Sequence, residues 1–313
     1  MLDIVVTHYN EPWNVGKPFF DMLGCQRGVS FDDFRVILVH DGVKPFPQGR
    51  FTGYPYRVEQ HRIPHGGVSA ARNYGLSVAT DRWIEFCDFD DMYSNAYALR
   101  SVMSVMDNDV DYLWTPFFCE CKTASGDIGV REYGENIIWV HGKYFRREWL
   151  IGKGLQFPEG IHYSEDSAFG ALVNELAENG RRGKIKAQFP AYIWVYREDS
   201  VSMNPANRER NMTGFIDRDV WVIEEYRRRG IPHILMVGRM FADAYWAFHQ
   251  VRHRFPRQEE RFAGIAERYM DELAQVSPED MAQVMKAASA TFRGTETDTA
   301  EPFSEWLERI RTR

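Results

Sequence analysis

HGGVSAARNYGLSVATDRWIEFCDFDDMY, residues 65–93, is the stretch whose reading decides the fold. Gly66 and Gly67 release the backbone from Cβ constraints, so the chain can turn tightly there and approach a ligand closely. The pattern predicts a helix from Val68 to Val78, with Ala70, Ala71 and Gly75 small enough to let it lie against a sheet. Asp81 marks the turn, and Arg82-Trp83-Ile84-Glu85-Phe86-Cys87 reads as an apolar strand. That strand empties into Asp88-Phe89-Asp90-Asp91. Residues two apart in an extended chain point the same way, so Asp88 and Asp90 can converge on one object. An acidic strand end is either a solvated turn or a site for a hard cation, Mn²⁺ or Mg²⁺, held together with substrate phosphates. The order of Gly-Gly turn, helix carrying Arg72 and Asn73, apolar strand and acidic end favours the cation.

Working outward, Asp3 to Tyr9 and Phe34 to Val39 are continuous apolar runs, as expected of buried parallel strands. The segment between them, from Asn10-Glu11-Pro12 to about Arg27, reads as helical, and a third strand is expected around Tyr56 to His61. Strands alternating with helices give βαβ units and a parallel sheet, and such sheets bind ligands at the carboxyl ends of their strands. Thr7 to Asn10, Asp41 and Asp88 to Asp91 all fall at such ends. Beyond them we expect a helix starting near Ser94 and a strand over Asp111 to Phe118. A hairpin or loop over Thr123 to Glu135 follows, then a short strand over Ile137 to Val140 and a short helix over Lys143 to Ile151. Ser164 reads as an N-cap placing Glu165 and Asp166 in the first turn of a helix that runs to Asn179. Ala191 to Arg197 reads as a further strand.

These motifs resemble the nucleotide-sugar half of family 2 glycosyltransferases with the GT-A fold, whose pattern is close to N-x-G-x-x-x-A-R-N-x-G, a strand, then D-x-D-D. Gly67, Ala71, Arg72, Asn73 and Gly75 match its first part, and Asp88, Asp90 and Asp91 its second. Thr7-His8-Tyr9-Asn10 resembles the first-strand motif, in which the Thr contacts the nucleotide base and the Tyr stacks on it. His40-Asp41-Gly42 resembles D-D-G-S, with Asp41 on the residue that meets the uracil imide. The chain departs from the pattern at His65, His40 and Val43. Phe157-Pro158-Glu159-Gly160 leading to Glu165-Asp166 matches the second diagnostic region, where Asp166 falls on the general base. Tyr196-Arg197 followed by Ser200 and Ser202 resembles the segment that closes over the nucleotide, with Arg197 a phosphate neighbour. The resemblance covers roughly the first two thirds of the chain.

It implies an α/β GT-A fold, a mostly parallel mixed sheet flanked by helices, over residues 1–210. It also implies a metal-dependent, inverting transfer of a sugar from a nucleoside-diphosphate donor, UDP favoured, to an acceptor hydroxyl. Asp90 would hold Mn²⁺ or Mg²⁺, while Thr7, Tyr9, Asp41, Arg72 and Asp88 would hold the nucleotide. Glu165, Asn10, Asn73, Asp91 and Arg197 would stand around them. The acceptor, whether glycan, lipid-linked glycan, protein or modified nucleic acid, leaves no mark. The rivals are a degenerate member that only holds a nucleotide-sugar, a GDP-sugar-dependent transferase, and a sugar nucleotidyltransferase. The last usually carries a basic Gly-rich loop after the first strand, where this chain has Asn10-Glu11-Pro12-Trp13-Asn14.

The 313 residues, 44% hydrophobic and 27% charged, are those of an ordinary globular protein. A net charge of −7 argues against a large nucleic-acid footprint. No run approaches the roughly 18 uncharged apolar residues of a membrane span. With no basic leader ahead of the first strand, the expectation is a cytoplasmic protein. Four cysteines without metal-knuckle spacing predict no disulfide. From 211 to 313 the character changes to amphipathic helices, with Val237, Met240, Phe241, Ala244, Tyr245 and Phe248 on one stripe and Ser277-Pro278-Glu279-Asp280 starting another helix. This part reads as an all-helical C-terminal appendage.

Overall fold

In this computed structural model, residues 2–106, 109–134, 136, 138–177, 181–184, 190–202, 204–250, 256–291 and 301–312 are described. The chain forms two compact units, 1–160 with 165–198, and 161–164 with 199–313.

The first unit opens with β1 (Leu2–His8), α1 (Trp13–Gly24), β2 (Phe34–Asp41), β3 (Arg57–Ile63), α2 (Val68–Val78) and β4 (Trp83–Asp88). β5 (Met92–Tyr93), α3 (Ala98–Met103), β6 (Tyr112–Trp114), β7 (Phe117–Lys122) and β8 (Ile128–Tyr133) follow. β9 (Lys143–Arg146), α4 (Arg147–Gly152), α5 (Glu165–Leu176), β10 (Arg182–Lys184) and β11 (Tyr192–Trp194) complete the unit. The main sheet has the order β10-β6-β9-β4-β1-β2-β3, parallel except where β9 runs against both neighbours. A smaller sheet, β5-β11-β7-β8, lies at the acidic end of β4. The expected α/β GT-A architecture is therefore present. Its register puts Thr7 beside Asp88 and His8 beside His40, so the β1, β2 and β4 ends finish together.

The central strands are apolar on both faces, and Ile4, Val5, Val6, Val36, Ile37, Leu38, Val39, Ile84 and Phe86 are fully buried. Gly75 of α2 lies where a Cβ would run into the Val5 side chain, so only glycine lets the helix approach β1 this closely. Gly67 has φ +88° as the chain swings into α2, a left-handed conformation that side chains rarely adopt.

Four local expectations are corrected. The single strand over Asp111 to Phe118 is two, β6 and β7, in different sheets, because Pro116 has no N–H to continue a ladder. The helix over Lys143 to Ile151 begins only at Arg147. Lys143 to Arg146 is instead the strand wedged between β4 and β6, where Tyr144 and Phe145 are buried. Ile138 to Val140 are bends rather than strand, and Ile137 lies outside the described residues. Ser164 has φ +65°, so it is not the extended N-cap expected of α5; Ser167 N–H is taken by Asp166 Oδ1 at 2.7 Å. The predicted end of that helix at Asn179 also lies outside the described residues. The helix expected near Ser94 starts at Ala98, and the expected hairpin is the β7–β8 pair.

The second unit contains α6 (Arg208–Arg229), α7 (Ile234–Gln250), α8 (Pro256–Ala266), α9 (Met270–Leu273), α10 (Pro278–Thr291) and α11 (Phe303–Arg311). The predicted stripe of α7 is its core, with Val237, Met240, Phe241, Ala244 and Phe248 buried against Phe262 and Trp306. Ser277 Oγ accepts the Asp280 N–H at 3.1 Å, the cap expected for α10. No described helix is long and apolar enough to cross a membrane.

Candidate active site

The site is built around Arg72. α2 carries its side chain to the end of β4, where it is almost wholly buried. There it donates to Asp88 Oδ1 and to Glu165 Oε1, both at 2.8 Å. Its guanidinium also lies over the Phe157 ring at 5.2 Å. Asp88 belongs to the Asp-x-Asp-Asp run and Glu165 to the Glu-Asp pair, so one cation joins two motifs 77 residues apart in the chain. Thr7 Oγ1 donates to the same Asp88 oxygen at 3.1 Å. Burial pushes the Asp88 carboxyl up, but Arg72 and the donated hydrogen bonds outweigh it and hold the group below its ordinary value. Burial and the neighbouring Asp166 push Glu165 the other way, to about 7.

The three carboxylates after β4 have separate fates. Asp91 turns inward, 1% exposed, and accepts the Tyr192 hydroxyl at 2.7 Å and the Val195 N–H at 2.9 Å, tying β4 to the β11 end. Burial, then Asp90 and Asp88, raise its pKa well above normal. Asp90 instead pairs with Arg197 Nη1 at 2.9 Å. Burial and the charges of Asp88 and Glu11 lift it to about 6 against the pull of Arg197. Asp88 stays on Arg72 and Thr7.

At the β1 and β2 ends, Tyr9 is 43% exposed and stacks on His65, with ring centroids 4.7 Å apart and planes 19° apart. Asn10 is exposed beside it. Asp41 is buried and accepts from the His65 ring (2.8 Å), Gly66 N–H (2.7 Å) and Gly67 N–H (3.0 Å). The carboxylate thus fixes the Gly-Gly turn and places His65 under Tyr9. Asn73 clamps the Phe157-Pro158-Glu159 segment, donating to Phe157 O at 2.9 Å and accepting Phe157 N–H at 2.8 Å.

Two residues absent from the sequence reading join the site. His141, in the turn before β9, is buried and stacks on Trp194 at 5.2 Å and 15°. Its Nδ1 has no hydrogen-bond partner among the described residues and lies 3.7 Å from Asp91 Oδ2. One ligand atom from each of Asp88, Asp91 and His141 lies within 4.8 Å of the others. Two carboxylates and an imidazole, whose pKa burial lowers to about 4, suit a divalent cation of the Mn²⁺ kind. Asp90, on which the motif resemblance places the ion, is not one of these three and offers its carboxylate to Arg197 instead. Lys143 is buried too, and its Nζ donates to Asn136 O at 2.9 Å. Burial drags its pKa to about 7, while the negative charge of Asp166 holds it up. Within the second unit, His162, Tyr163, Arg210 and Arg261 help line a pocket of about 380 Å³.

A mostly parallel seven-stranded sheet flanked by helices, with an acidic run at the end of a central strand, is the architecture of the GT-A class. The model of glycosyl transferase family 2 matches residues 3–159, half of the chain, and the chain belongs to that family. It is 27% identical over 207 residues to the minor teichoic acid biosynthesis protein GgaB of Bacillus subtilis, covering 58% of this chain and 22% of GgaB. It is also 27% identical over 227 residues to the glycosyltransferase EpsJ of the same organism, covering 65% of this chain and 62% of EpsJ. The chain thus spans less than two thirds of the length of these relatives. Among solved structures, S. aureus TarS 1–349 in complex with UDP-GlcNAc superposes with a TM-score of 0.61 at 15% identity, over 96% of this chain and 98% of that one. The mannosyltransferase PcManGT of Pyrobaculum calidifontis, with GDP-Man and Mn²⁺, gives 0.51 at 14% identity, over 99% of this chain and 83% of that one.

Proposed function

We propose that the protein transfers a sugar from a nucleoside-diphosphate donor, UDP favoured, to an acceptor hydroxyl, with inversion at the anomeric carbon and with help from Mn²⁺ or Mg²⁺. One observation supports this reading: Arg72 joins Asp88 and Glu165, the neighbour of Asp166, through 2.8 Å contacts, so the side read as the leaving group's and the side read as the base's share one buried cation. Tyr9 and Asp41 would receive the base, with Thr7 and Asp88 beside the nucleoside. Asp90, with Asp88 behind it, would hold the cation on the diphosphate, and Asp90 must first leave Arg197. A bound divalent ion supplies charge neutralisation for the departing diphosphate. Asp166 accepts the proton of the attacking hydroxyl, and attack opposite the leaving group gives single displacement. Arg197, released from Asp90, would turn to the phosphates.

The relative of known structure bound to UDP-GlcNAc supports a uridine donor, and the GDP-Man complex of the mannosyltransferase is the reason to test guanosine beside it. The experiment is a panel of UDP-, GDP- and other nucleotide-sugars with Mn²⁺, read as release of free nucleotide and as thermal shift. Turnover of a UDP-sugar with retained Mn²⁺ dependence is expected. Binding of a nucleotide-sugar with no release under any condition would establish the degenerate binding protein instead.

A further inference from the structure

Two histidines that the transfer chemistry does not use stand back to back beneath the base-binding end of the sheet. His8 closes β1 and His40 lies one residue before the end of β2; they are 5% and 0% exposed. Their Nδ1 atoms are 2.8 Å apart. Outward from the pair, His8 Nε2 lies 2.9 Å from the carbonyl oxygen of Glu11, and His40 Nε2 lies 3.0 Å from Gln60 Oε1. The Gln60 amide is oriented by its own Nε2, which donates to the Phe46 carbonyl at 3.0 Å and to Gln48 Oε1 at 3.0 Å. Turning it over would set two oxygens against each other at Phe46.

Both ends of this row are therefore acceptors, and each Nε2 must carry a hydrogen. The row has three contacts, His8 to Glu11, His8 to His40 and His40 to Gln60, and each needs one N–H. Two neutral imidazoles supply only one N–H each. With both spent on the Nε2 atoms, the two Nδ1 lone pairs face each other at a distance that only a hydrogen bond sustains. One additional proton completes the row.

We propose that His8 and His40 are positioning residues for nucleotide recognition, sharing one proton whose presence fixes the spacing of the β1 and β2 ends that carry Tyr9 and Asp41. The consequence for binding rests on the reading of those two residues as base contacts; the shared proton itself does not. Each ring acts on its neighbour in the chain. The Glu11 residue that receives His8 through its carbonyl also holds the Tyr9 N–H through its carboxylate at 3.0 Å. His40 directly precedes Asp41, which organises Gly66, Gly67 and His65. Loss of the proton breaks one contact of the row and loosens both sides of the platform.

The surroundings set two opposing influences. Glu11, after β1, is the anionic group facing the pair and favours the proton, whereas burial disfavours it and lowers both rings, His40 to about 4. From the β2–β3 connection the Phe46 ring packs on both imidazoles, and Arg50 lies beyond it, 5.7 Å from its centroid. Phe89 closes the side of β4. From β3 come Gln60, its neighbour His61, and Arg62, paired in register with His40 and donating to Gly42 O at 3.3 Å.

The test is a long-range ¹H–¹⁵N spectrum of the full-length protein labelled at histidine, recorded from pH 5 to 8, with His8→Asn and His40→Asn for assignment. Three N–H protons on the pair, one on each Nε2 and one between the Nδ1 atoms, at any pH in this range are the expected result. Only two throughout the range overturns the proposal. The functional arm measures the affinity of uridine, which has no phosphate to titrate, over the same range of pH 5 to 8 in which the third N–H is followed. One linked proton makes wild-type affinity fall by up to about tenfold per pH unit as the pair empties. His40→Asn offers His8 an amide N–H without a proton, so its affinity should be flat with pH. Three N–H protons with a flat wild-type profile would remove the coupling to Tyr9 and Asp41, and equal slopes in wild type and His40→Asn would place the titration elsewhere.

Discussion

Replacing Arg72 with Met keeps the length of the side chain and removes its charge, leaving the Asp88 and Glu165 carboxylates without the guanidinium that each meets at 2.8 Å. Breaking a buried ion pair from one side costs about 3–5 kcal/mol, because the remaining charge stays desolvated. Two features of the site set the value within that range. Burial and Asp166 already push the Glu165 carboxyl up, and without Arg72 it can take up a proton, so its share of the loss is small. Asp88, which Arg72 keeps ionised, carries most of it. We therefore expect the lower end, about 3 kcal/mol near pH 7.5, and less at pH 5, where the stranded carboxyls can take up protons. Because the chain forms two compact units, a single unfolding free energy is not well defined. The assay is instead hydrogen exchange of peptides covering β1 and β4, in which 3 kcal/mol appears as about 150-fold faster exchange. Arg72→Met combined with Asp88→Asn should recover more than half of the loss. A change below about fivefold in the single variant, or no recovery in the double, would refute the arginine as the tie between the two motifs.

Further outcomes follow from the same geometry. Arg197→Gln frees Asp90 of its competing cation, so Mn²⁺ binding without nucleotide, followed by the free-Mn²⁺ electron paramagnetic resonance signal, should tighten about fivefold, the equivalent of the roughly 1 kcal/mol of a partly exposed ion pair. Asp90→Asn should abolish the difference between UDP thermal shifts in Mn²⁺ and in EDTA. In the wild type, Asp90 must lose its proton to bind the cation, so Mn²⁺ affinity should fall as the pH drops through about 6. Gly75→Ala puts a methyl group into the Val5 side chain and should cost about 1–3 kcal/mol, read by exchange from α2 and β1.

The stretch from His65 to Tyr93 was legible because its structure is local: a turn needing φ > 0 at Gly67, a helix with a small face, and an apolar strand ending in carboxylates. The ends of β1, β2 and β4 were legible for the same reason, and with them the placing of Thr7, Tyr9, Asp41 and Asp88 at or beside those ends. What escaped is set by tertiary pairing. Lys143-Tyr144-Phe145-Arg146 has no intrinsic strand signal strong enough to outvote the helical residues that follow it, and becomes a strand only because β4 and β6 leave a gap between them. Its burial then brings His141 and Lys143 into the site, which no spacing rule could announce. Nor does the Asp88-Phe89-Asp90-Asp91 run reveal which carboxylate turns inward. Asp91 does so because Tyr192 and Val195, a hundred residues away, offer it donors.

The most direct test of the proposed transfer compares the turnover of a UDP-sugar with Mn²⁺ by wild type and by Asp166→Asn, with donor affinity measured on the same samples. Asn keeps the size and the first turn of α5 but takes no proton, so nucleotide release should fall by about 10²–10⁴-fold while the donor Kd stays within about twofold. Turnover that survives the substitution, with stability lost instead, would contradict the account and leave Asp166 as no more than a partner of the helix dipole.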